Sequence, residues 1–108
     1  MTSKENLIET IKKSRPNVKE TTVKMYVSNL MKLMKLFDKD DLKFLKDIEK
    51  IKDKLSELHF TTQRNYYNSI IVYLMSISDK PDEDKTIKEY NSLRDDLNKK
   101  YEEEQATG

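Results

Sequence analysis

The chain has 108 residues, 35% hydrophobic and 38% charged, with no cysteine, one histidine, one glycine and a formal net charge of +1. That length supplies one domain built around one core. The composition excludes disulfides, thiol catalysis, cysteine-based zinc sites and any site needing two imidazoles, and with Gly108 as the only glycine it excludes glycine-rich phosphate and dinucleotide loops.

A first helix is expected over about Lys4–Lys13, where Leu7, Ile8 and Ile11 share one face. Thr2 and Glu5 have capping-box spacing at its start, and Pro16 disfavours helix at Arg15. Asn17 and Glu20 repeat the capping-box spacing and open a second helix to about Phe37. Its stripe is Val23, Tyr26, Val27, Leu30, Leu33, Met34 and Phe37. Met31 and Leu36 widen it, which suggests a helix near the centre of the bundle. Asp38 to Asp41 breaks the pattern, and Asp38 or Asp40 is expected to cap a short turn carrying Leu42, Phe44 and Leu45.

Asp47 opens a third helix to about Leu58, with Ile48, Ile51, Leu55 and Leu58 at helical steps. Thr61 or Thr62 caps a fourth, to about Ser78. Tyr66, Ile70, Tyr73, Leu74 and Ile77 form its stripe, with Tyr67, Ile71 and Met75 beside it, and Tyr67 is the tyrosine expected to be most open to solvent. Lys80-Pro81-Asp82 is a loop. Asp82 or Asp84 starts a fifth helix with acids in its first turn, as the macrodipole favours. Its stripe is Ile87, Tyr90, Leu93, Leu97 and Tyr101. Glu102-Glu103-Glu104 opposes the dipole at its end, so fraying is expected there. This helix is less apolar than the second and fourth, so loose packing, or docking on something outside the chain, is expected of it.

The sum is an all-α bundle of four to five helices joined by short loops. Residues 1–80 form a basic body with 16 lysines and arginines against 11 acids. Residues 81–108 form the fifth helix and an acidic arm of the same domain, with 5 against 9. No stretch approaches the roughly 20 apolar residues of a membrane span, and the first residues carry no signal peptide. An intracellular protein without a membrane partner or a cofactor is expected.

Two helix starts carry the chemistry that this composition leaves open. The second helix opens with Lys19, Thr21, Thr22, Lys24 and Met25, and the fourth with Thr61, Thr62, Arg64, Asn65 and Asn68. Helix N-termini point N–H groups at anions. Threonine, asparagine, arginine and lysine bond base edges and phosphate oxygens. Two such ends together could straddle a major groove, although threonine and asparagine at helix starts also serve as ordinary caps. His59, at a helix junction, reads as structural. Tyr26, Tyr66, Tyr73, Tyr90 and Tyr101 read as core with a wet hydroxyl. Adjacent acids such as Asp40/Asp41 and Asp95/Asp96 do not share a helix face, so no two-carboxylate catalytic site is expected.

The segment Lys19–Phe37, followed by Asp47–Ile77 with its Phe60-Thr61-Thr62-Gln63-Arg64-Asn65-Tyr66-Tyr67 turn, resembles the N-terminal core-binding domain of tyrosine recombinases, the phage-integrase family with a SAM-like helical domain. Thr22 and Tyr26 match its Thr-x-x-x-Tyr helix opening, and Thr61-Thr62 its second. The likeness covers about residues 1–80. The lysine- and asparagine-rich style and long fifth helix look like integrases of large DNA viruses or virophages.

The resemblance implies double-stranded DNA as partner, with Thr22, Lys24 and Met25 in the major groove and Lys19 and Thr21 on phosphates. It gives the same roles to Thr61, Thr62, Arg64, Asn65 and Asn68. It also implies half of a C-shaped clamp completed by a downstream catalytic domain, and a fifth helix that meets a neighbouring protomer or leads into the linker. The family's catalytic arginines, histidines and tyrosine have no counterpart set in this sequence, so no catalysis is expected of this chain alone. The alternative is a helical protein–protein interaction module with no nucleic-acid role.

Overall fold

A computed structural model describes residues 4–107, with side chains for Lys4–Lys100 and Glu102. Five α-helices follow in order: α1 (Lys4–Ser14), α2 (Glu20–Leu36), α3 (Ile48–Leu55), α4 (Phe60–Ile77) and α5 (Lys85–Thr107). Short 3₁₀ turns lie at Lys43–Lys46 and Pro81–Glu83, the second where the Pro81 loop is expected. No strand occurs among the described residues, and the chain is a small all-α bundle, as its apolar spacing predicts. The expected Thr2 cap and the side chains of Tyr101, Glu103 and Glu104 lie outside the described residues. No helix among the described residues is long and apolar enough to cross a membrane.

The hub is α4, which packs against α1, α2 and α5. Because three helices cover it, its buried set of Tyr67, Ser69, Ile70, Ile71 and Val72 is wider than one stripe. The structure corrects three expectations. Leu36, expected to widen the α2 stripe, is 40% exposed. Tyr67, expected open, is only 2% exposed. Ile77, expected on the stripe, is half exposed at the last residue of α4.

The core joins Leu7 and Ile11 of α1 to Val23, Val27, Leu30 and Leu33 of α2, with Leu45, Ile51, Leu55, Ile70 and Tyr90. Each fully buried leucine or isoleucine contributes about 1.5–3 kcal/mol relative to exposure. Ser69 is the one buried polar side chain of the described core. Its hydroxyl donates to the Asn65 carbonyl at 3.0 Å and accepts from Asn29 Nδ2 at 3.0 Å, so α2 and α4 are joined near their midpoints.

The weak apolar pattern of the fifth helix does not translate into loose packing. Its contact with α4 is the most extensive in the bundle, and Ile87 and Tyr90 are buried. The Tyr90 ring lies against that of Tyr67, 6.1 Å between centroids. Its hydroxyl donates to the Leu45 carbonyl, so it is not the wet hydroxyl expected of the stripe tyrosines.

The helix ends depart most from the sequence patterns. Lys19, not Asn17, is the N-cap of α2, and it makes no side-chain cap bond. His59 caps α4, its Nδ1 accepting from the Thr61 amide at 3.3 Å, so Thr61 and Thr62 lie inside the first turn. Asp41, and neither Asp38 nor Asp40, accepts from the Lys43 amide at 3.0 Å. Asp47 is the N-cap of α3 without a side-chain bond, and that helix ends at Leu55, short of Leu58. Asp84 does cap α5, accepting from the Thr86 amide at 2.9 Å and the Ile87 amide at 3.2 Å. The acids Asp82 and Glu83 belong to the preceding turn and not to the first turn of α5.

Asp38 has the one positive φ among the described non-glycine residues, 55°. Its amide donates to the Lys35 carbonyl and the Lys39 amide to that of Met34, the pair of bonds that closes a Schellman C-cap. An aspartate thus fills the left-handed position usually taken by glycine in a chain whose one glycine is terminal.

Candidate functional site

The start of α2 is built by the chain reversal at Pro16. The end of α1 is held in place because Arg15 Nη2 lies 3.6 Å from Met75 Sδ in the last turns of α4. Lys12 Nζ reaches across to Glu20 Oε1 at 3.3 Å, and Lys24 Nζ approaches the same oxygen at 4.0 Å. The Lys12 hydrogen bond, then the charges of Lys12 and Lys24, hold the Glu20 carboxyl below its ordinary value. These pairs are exposed and screened, so they orient side chains more than they stabilise.

Around that carboxylate the surface is basic and uncovered. Lys19, Thr21 and Lys24 are exposed, and Thr22 is half-buried. Met25 stands 50% exposed, one of three large apolar side chains so exposed among the described residues. Lys12 belongs to this surface too, through its bond to Glu20, although the helix-start pattern does not include it. Its charge is legible in the sequence as part of the basic last turn of α1, but its reach to Glu20 is not.

The start of α4 holds Thr61 and Asn65 exposed, with Thr62, Arg64 and Asn68 half-buried. Asn68 is drawn away from that surface. Its Oδ1 accepts from Arg94 Nη1 at 3.4 Å, so it belongs to the seam between α4 and α5. With Asn29 and Ser69 marking the crossing, each helix start lies about 14 Å along its own axis from that point. The two groups are thus held by one helix pair.

Two clefts adjoin these elements. One, about 430 Å³, runs along the outer face of α2 between Met31, Met34, Lys32, Lys35 and Lys39. The other, about 460 Å³, lies between α3, α4 and α5. Among the described residues no group of three or more histidines, aspartates or glutamates could hold a metal ion. No protein-family model, no curated protein and no solved structure matches this chain.

Proposed function

We propose that this chain is a DNA-binding module of the kind found at the N-terminus of tyrosine recombinases, acting in site-specific recombination without doing chemistry itself. The reading rests on its resemblance in sequence and on one observation above others: an uncovered Met25 set among Lys19, Thr21 and Lys24 at the start of α2. An exposed thioether costs hydration and fits an apolar contact, such as a thymine methyl in the major groove. The threonine hydroxyls suit base edges and phosphate, and the lysines neutralise phosphate. Thr61, Thr62, Arg64 and Asn65 extend the footprint from α4, while Asn68 acts indirectly through Arg94. A downstream catalytic domain and neighbouring protomers on the DNA complete the proposed assembly, inside a cell.

Because phosphate neutralisation dominates such binding, affinity falls steeply with salt, by a logarithmic slope of about −0.9 per phosphate contacted. Fluorescence anisotropy of a labelled duplex tests this. Lys19→Ala lowers the salt slope by about one, and Arg64→Ala weakens binding while circular dichroism stays that of the parent. Unchanged affinity in both variants contradicts the proposal.

One observation favours the second reading, a protein-interaction module. The α2 cleft is lined by Met31 and Met34 beneath Lys32, Lys35 and Lys39, with Leu36 exposed on the same helix. An acidic amphipathic segment would suit it.

A further inference from the structure

The Tyr67 phenol is 2% exposed, and its hydroxyl makes no hydrogen bond to any described residue. Its neighbour Tyr90 is equally deep but is bonded to the Leu45 carbonyl. A buried hydroxyl left unpaired is costly, and native folds rarely keep one. No fully enclosed side-chain polar atom lacks a partner among the described residues, so the Tyr67 hydroxyl meets the surface. Tyr67 lines the cleft between α3, α4 and α5.

The walls of that cleft have a consistent chemistry. Lys52 comes from α3 and Lys99 and Lys100 from α5, against Asp96 as the acid among the described lining residues. None of the three lysines forms an ion pair with a described residue. Leu93 and Leu97 add a half-buried apolar wall. The volume, about 460 Å³, falls within the range of small-molecule sites.

We propose that this cleft binds a small organic phosphate of about mononucleotide size. Its phosphate sits among Lys52, Lys99 and Lys100 and accepts a hydrogen bond from the Tyr67 hydroxyl, while its apolar part lies on Leu93 and Leu97. The lysines supply charge, which attracts any oxyanion. The phenol supplies a fixed donor, set by a ring packed in the core, which selects a ligand that reaches the floor. This site is separate from the proposed DNA surface at the start of α2, and the two stand or fall independently.

The test is an amide NMR titration of the full chain with adenosine monophosphate, adenosine, inorganic phosphate and a short DNA duplex as probes. The expected result is saturable shifts with adenosine monophosphate at low millimolar concentration, confined to the cleft and including Lys52, Tyr67, Leu97, Lys99 and Lys100. Adenosine and inorganic phosphate should each bind at least tenfold more weakly. Tyr67→Phe removes one oxygen that no described protein group bonds, so its spectrum stays native and affinity falls about five- to tenfold. Lys100→Glu should abolish binding. Unsaturable shifts, equal response to inorganic phosphate, response to the duplex alone, or unchanged affinity in Tyr67→Phe would each overturn the proposal.

Discussion

The Tyr90 hydroxyl donates to the main-chain carbonyl of Leu45, tying α5 to the 3₁₀ turn between α2 and α3. Both residues are fully buried, so no solvent replaces the bond when it is removed. Tyr90→Phe keeps the ring on Tyr67 and strands the carbonyl, at a cost of about 1–3 kcal/mol. Tyr90→Ala also opens a cavity and costs about 3–5 kcal/mol. Urea unfolding measures both, and a Tyr90→Phe variant as stable as the parent would contradict the role given to this bond.

Alkaline pH should expose the same buried phenols. Burial raises the pKa of Tyr90 and of Tyr67 above the ordinary 10.0. A raised folded value means that the unfolded state gives up its proton first. The contribution of the neutral phenols is therefore fully present below pH 10.0 and is lost as pH climbs through the folded values. Stability should be nearly flat at neutral pH and fall above pH 10.0, with part of the tyrosinate absorbance appearing only on unfolding. Titration of all tyrosines with the protein still folded would contradict this.

Asp38 sits at a φ of 55°, where a Cβ is unfavourable and glycine is not. Asp38→Gly should leave stability equal or up to about 1 kcal/mol higher, the gain being offset by a freer unfolded chain. Asp38→Val should cost about 1–2 kcal/mol, since a β-branched side chain fits this region poorly. Thermal unfolding of the two variants reads the sign, and a valine variant more stable than the parent would remove the C-cap argument.

Asn29 and Ser69 should be energetically coupled. Either alanine substitution alone removes the bond between α2 and α4, at about 0.5–1.5 kcal/mol. The double variant should lose less than the sum, with a coupling of about 0.5–1 kcal/mol. A strictly additive cycle would mean that these side chains do not hold the helix pair.

Helix existence is legible in the sequence because apolar residues recur at steps of three and four, as in Val23, Val27, Leu30 and Leu33, all buried. Helix ends are less so. Threonine at 61 and asparagine at 17 look like caps to a local rule, but the backbone turn that starts each helix falls on His59 and Lys19. Neighbouring side chains compete for the same few amides, and tertiary packing decides between them. Tyr67 is misplaced by its pattern because one stripe describes a helix covered from one side, while α4 is covered by three helices. Asn68 faces Arg94 across a separation of 26 residues, which no local pattern encodes. Of the proposed DNA surface, Lys19, Thr21, Lys24 and Met25 are legible as a run at a helix start that falls off the apolar stripe. The contribution of Lys12 needs the fold.

The most direct test of the proposed function is an amide NMR titration of the chain with a short DNA duplex at low and at moderate salt. If the chain binds DNA as proposed, shifts cluster at residues 19–25 and 61–65, with Lys12 joining them, and all fade as salt rises. No shift at either salt, or shifts concentrated along Tyr90–Tyr101, would contradict it.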